Sequence, residues 1–116
     1  MPRLQPQDPT AVAEALGRDE RSKADLRLLT KHFLARLAER APGRSVEVRV
    51  PPYAAAQVVA GVRHTRGTPP AVIELDATTW IALATGETTW HDAVREGRVR
   101  ASGERADLTA YLPLAA

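Results

Sequence analysis

Residues 71–103 read AVIELDATTWIALATGETTWHDAVREGRVRASG, and the changes of period inside this stretch decide the fold. Ala71 to Asp76 is a short run of aliphatic and β-branched residues and reads as a strand. Asp76 then stands where a helix N-cap belongs, since a carboxylate accepts from the first free amides, and Trp80, Ile81, Leu83 and Ala84 follow at helical spacing. Gly86 supplies the stop. Thr89 opens a second short helix with Asp92 three residues on as a box-like partner; Trp90, Ala93 and Val94 are its apolar members and Gly97 its end. Arg98 to Ser102 alternates as a strand does.

Upstream, the alternation of Ser45-Val46-Glu47-Val48-Arg49-Val50 puts three valines on one face and Glu47 and Arg49 on the other, a half-buried strand closed by Pro51-Pro52. Ala54 to Ala60 lies between that proline pair and Gly61 and contains two valines, which favours a second strand over a helix. A polar loop, Arg63 to Thr68, ends at Pro69-Pro70. Before the strands, Ser22 and Asp25 form an S-x-x-D capping pair. The helix they open runs to about Ala41, with Leu26, Leu29, Phe33, Leu34, Leu37 and Ala38 on its apolar face and Pro42-Gly43 at its end. Asp8, Pro9 and Gly17 bracket a short first helix. Glu104 to Leu112 is expected to make a closing helix through Leu108, Tyr111 and Leu112. Helices, strands, two short helices, a strand and a helix amount to an α+β layer structure.

The chain has 116 residues and a mass of 12.6 kDa, which bounds it to one domain with a single core. Hydrophobic residues at 44% and charged residues at 26% are the balance of a globular chain. With no Cys, disulfide frameworks and thiolate sites are excluded, and a cytoplasmic protein is expected. No apolar run is long enough for export or membrane insertion. The net charge is only +2, and the pI near 9.5 is high because 14 of the 16 cations are Arg, which stays charged where Lys begins to titrate. A nucleic-acid partner needs cations gathered on one face with stacking aromatics between them. With only five aromatics, Phe33, Tyr53, Trp80, Trp90 and Tyr111, solvated Arg/Glu faces are expected instead and no nucleic-acid partner. His32, His64 and His91 lack metal-ligand spacing, and no nucleophile elbow or glycine-rich phosphate loop is present. No catalytic residue, cofactor or metal is therefore expected.

The stretch from Val72 to Leu112 resembles the C-terminal half of the sterol carrier protein 2 family. The shared features are the strand into an Asp-started helix at Asp76 to Trp80, the Leu83-Ala84-Thr85-Gly86 turn, Ala93-Val94-Arg95-Glu96-Gly97, and the strand and turn from Arg98 to Ser102-Gly103. Actinobacterial sterol carrier family proteins are similar as well in Arg49-Val50-Pro51-Pro52 and in Arg63 to Pro70. The resemblance implies a mixed sheet of about five strands with helices packed on one side. It also implies an apolar helix-sheet cavity for a fatty acyl or sterol-like lipid. On this basis residues 22–116 form the sterol-carrier-like domain, and residues 1–21 an N-terminal extension with a short helix. Two departures bear on the cavity: only Gly61 to Pro70 separates Ala60 from Ala71, and Ala replaces larger apolar residues along the helices.

Two candidate sites follow. The expected cavity walls are Phe33, Leu37, Val48, Val59, Trp80, Leu83, Trp90 and Val94, and a pocket of about 300 Å³ or more so lined suits an acyl chain. The alternative is that these residues simply fill the core. The second candidate is Arg63, His64, Thr65 and Arg66, where two guanidinium forks beside glycines suit an anionic head group or an acidic patch on a partner. Against this stands a solvated turn with Arg63 paired to Glu74 or Asp76. The expected function is noncatalytic binding of an apolar or amphipathic small molecule. The alternative is an accessory module that binds an enzyme partner and no lipid.

Overall fold

Every helix longer than one turn begins where a side chain takes over an unpaired amide. The computed structural model describes residues 3–61, 71–103 and 106–114. Helix α1 (Pro9–Leu16) is capped by the Asp8 carboxylate, which accepts from the Ala11 amide at 3.0 Å. Helix α2 (Lys23–Arg40) has a full capping box, with the Ser22 hydroxyl accepting from the Asp25 amide and the Asp25 carboxylate from the Ser22 amide, both at 3.1 Å. Asp76 caps α3 (Ala77–Thr85) through the Thr79 amide at 2.7 Å, and Thr89 caps α4 (Trp90–Arg95) through Asp92 at 3.1 Å. Gly86 ends α3 at φ 85°, in the left-handed region that a glycine enters freely.

Strands β1 (Val46–Val50), β2 (Ala54–Val58), β3 (Ala71–Leu75) and β4 (Val99–Ser102) form a mixed sheet in the order β2-β1-β3-β4. The β1–β2 and β3–β4 pairs are antiparallel and β1–β3 is parallel. Four strands are present among the described residues, where about five are expected from the resemblance. Strand alternation sorts the two faces: Val46, Val48, Val50, Val58, Ile73 and Leu75 are buried. Glu47, Arg49, Glu74 and Arg100 occupy the opposite face, with Arg49 beside Glu74 and Glu74 beside Arg100 in register. The core closes where α2 packs on β2, α3 and α1, through Leu29, Leu34, Leu37, Trp80, Ile81 and Leu83. Val12 and Ala15 of α1 are buried in the same cluster.

Two expected elements are shorter than the sequence implies. Strand β2 stops at Val58 and not at Ala60, because Val59 turns to φ 66°. Three hydrogen bonds hold that conformation: the Val59 amide donates to the Ala41 carbonyl at 2.7 Å, and its carbonyl accepts from the Ser45 amide at 3.0 Å and hydroxyl at 2.6 Å. Gly43 permits the approach, since a Cβ there would lie 2.2 Å from the Val59 carbonyl. The expected closing helix over 104–112 is also replaced. Among residues 106–114 there is a single 3-10 turn, Thr109–Tyr111. Asp107 takes the Thr109 amide at 2.8 Å and its hydroxyl at 2.6 Å, a local turn that competes with helix initiation. The tail's remaining groups bond sideways: Arg40 donates to the Tyr111 and Pro113 carbonyls at 2.9 and 2.8 Å, and the Leu114 amide donates to the Ala84 carbonyl at 2.8 Å.

Candidate functional site, an alanine-lined cleft between α2 and β2

Where α2 passes over β2, both elements present methyl groups at positions that larger side chains would otherwise fill. Ala35 and Ala38 stand one turn apart on the helix, and Ala54 and Ala56 share the face of β2 that lies beside Val50 and Val48. The seam is consequently a cleft of about 910 Å³, inside the range of small-molecule sites. Tyr53 and Pro42 add apolar wall. Arg3 to Pro6, from the N-terminal segment, line it as well. Glu47 and Gln57, opposite each other in register, carry the lining around β2.

The charges at the cleft are unequal. Its carboxylates are engaged, Glu47 with Arg49 at 2.8 Å and Glu39 with Arg36 at 3.9 Å. Arg3, Lys31 and Arg44 have no carboxylate within 4.0 Å among the described residues. The walls therefore favour an anionic group next to the apolar floor.

His32 ties the N-terminal segment to α2: its Nδ1 accepts from the Gln7 amide at 3.0 Å. Its ring meets Phe33 edge-on, with centroids 5.0 Å apart. Burial, and after it the positive charge of Arg36, push the imidazole below its ordinary value, with Glu39 opposing.

Of the eight residues expected on a cavity wall, Phe33, Leu37, Val48, Val59, Trp80, Leu83 and Trp90 are buried in the core, and none of the eight lines this cleft. Trp80 fills the space between α3 and α2, its indole N–H donating to the Thr30 carbonyl at 3.3 Å. Val94 is 45% exposed, because α4 is six residues long and turns Trp90 and Ala93 inward. The expected loop site, Arg63, His64, Thr65 and Arg66, lies outside the described residues. Sequence reasoning missed Ala35, Ala38 and the Ala54 to Ala56 run as lining. Their signal was present as small residues in place of larger ones, but facing positions on a helix and a strand are visible only once the two are packed.

Among the described residues no group of three or more His, Asp or Glu is gathered as a metal site requires, and no helix is long and apolar enough to cross a membrane. No curated protein matches the chain. The model of the family described as bacterial SCP ortholog matches residues 22–114, from the Ser22 cap of α2 to Leu114 beside α3. With the mixed sheet, the Asp76-capped helix and the glycine-ended turns all inside that span, the chain belongs to the bacterial sterol carrier protein family.

Proposed function

We propose that the protein is a noncatalytic carrier that holds the apolar part of an amphipathic small molecule, a fatty acyl or sterol-like lipid, in the cleft between α2 and β2. Membership of a sterol carrier family supports lipid carrying in general. The observation that carries the finer reading is the seam itself, about 910 Å³ with alanines on both walls beside an otherwise filled core. Burying about ten methylenes is worth roughly 8 kcal/mol at ~0.8 kcal/mol each. The cost of association consumes several kcal/mol of this, so the apolar chain alone supplies binding on about the millimolar scale.

Native mass spectrometry of freshly purified protein, with organic extraction of whatever is released, tests the reading. A discrete added mass that reappears as one lipid class supports it. A clean apo mass, with no uptake from a panel of fatty acids and acyl thioesters, contradicts it.

A further inference from the structure

The N-terminal segment lies before residue 22, where the family match begins, yet it lines the cleft. Leu4 is half-buried against the core, and the Gln7 amide donates to His32 Nδ1. Such a bond needs a neutral imidazole. With the proton on Nε2, Nδ1 is an acceptor; in the imidazolium both nitrogens are donors, and Nδ1–H then faces the Gln7 N–H. We infer that residues 3–7 are a strap over the cleft, latched by neutral His32, and that protonation of His32 releases the strap and opens the cleft. This inference rests on the cleft being the ligand site.

Arg36 and Glu39, on the same helix as His32, act on its ring in opposite directions. On the strap side, the Asp8 carboxylate is occupied by the Ala11 amide, and Arg3 lies at the cleft. In α1, which packs on α2, the acidic residue is Glu14, placed 4.0 Å from Arg18. Helix α3 and strand β2 have no titratable side chain. Phe33 offers the ring an apolar edge. Because burial disfavours the cation, the latched form is favoured above the ordinary imidazole range, and docking weakens as pH falls through it and below.

The test uses the full chain, labelled with ¹⁵N, between about pH 8 and pH 5. The Gln7 amide resonance is expected to follow the titration curve of the His32 ring, with its protection from solvent exchange, relative to the intrinsic rate at the same pH, lower by about tenfold or more once the ring is charged. Nile red, uncharged over this range, serves as the cleft probe. Its dissociation is expected to accelerate about fivefold or more between neutral and acid pH in the natural sequence. His32→Gln removes the titrating group, and Gln7→Pro removes the donor, so each should abolish the acceleration. His64 and His91 are unchanged in all three proteins, which isolates His32. A Gln7 amide that stays fixed while His32 titrates, or the same acceleration in either variant, overturns the latch. If Nile red does not bind at any pH, the cleft reading fails and with it the opening of a ligand site, while the Gln7 amide still decides the latch.

Discussion

Thr30 is buried in the middle of α2 with no hydrogen-bond partner for its hydroxyl among the described residues. Its carbonyl has a second role, accepting from Trp80, so the backbone there is fixed while the hydroxyl is stranded. Thr30→Val keeps the shape and removes the unpaired polar atom, and is expected to stabilise the fold by about 1 kcal/mol in urea unfolding. A destabilised variant would mean that the hydroxyl is partnered. Asp25 shows the opposite situation. The Ser22 amide, and behind it the Arg18 guanidinium, hold its carboxyl below the ordinary range against the desolvation of its position. A carboxylate whose pKa is lower in the folded state contributes stability above its unfolded value, near 3.9, and loses it as pH falls through the folded value. The urea midpoint of the natural sequence should therefore drop on acidification below about pH 4, and that of Asp25→Asn should drop less. Caps such as Asp8, Ser22, Asp76 and Thr89 were legible in the sequence because donor and acceptor lie three residues apart. The left-handed turn at Val59 was not, because its partners Ala41 and Ser45 come from the other side of β1.

At the scale of elements, legibility depends on where the backbone groups find their partners. Helix α2 satisfies itself, so its period and its cap were sufficient to place it. The C-terminal tail satisfies itself against Arg40 and Ala84, far away in the chain, and its three-four spacing of Leu108, Tyr111 and Leu112 was a misleading helix signal. Arg40→Met keeps much of the aliphatic stem and removes the two bonds to the tail. It is expected to cost about 1 to 2 kcal/mol and to speed exchange of the Leu114 amide, with the amides of α3 much less affected. Equal exchange of the Leu114 amide in both proteins would show that Arg40 does not clamp the tail.

Across the whole molecule, the same apolar residues were assigned in the sequence either to a cavity or to a core, and packing puts seven of the eight in the core. What distinguishes core from cleft is side-chain volume at facing positions: Leu37 and Trp80 fill their space, whereas Ala38 and Ala56 leave it open. Opposite effects follow from opposite substitutions. Leu37→Ala should cost about 2 to 5 kcal/mol and leave the palmitate affinity of the folded protein within about threefold. Ala38→Phe, at a half-buried position on the cleft wall, should leave stability within about 1 kcal/mol and weaken palmitate binding by about tenfold or more. The most direct measurement is a set of intermolecular nuclear Overhauser effects between unlabelled palmitate and protein carrying ¹³C in its alanine and leucine methyl groups. Cross-peaks from the palmitate chain to the methyls of Ala35, Ala38, Ala54 and Ala56 are expected. Cross-peaks confined to Leu29, Leu37 and Leu83, or none with palmitate in excess, would contradict a ligand site between α2 and β2.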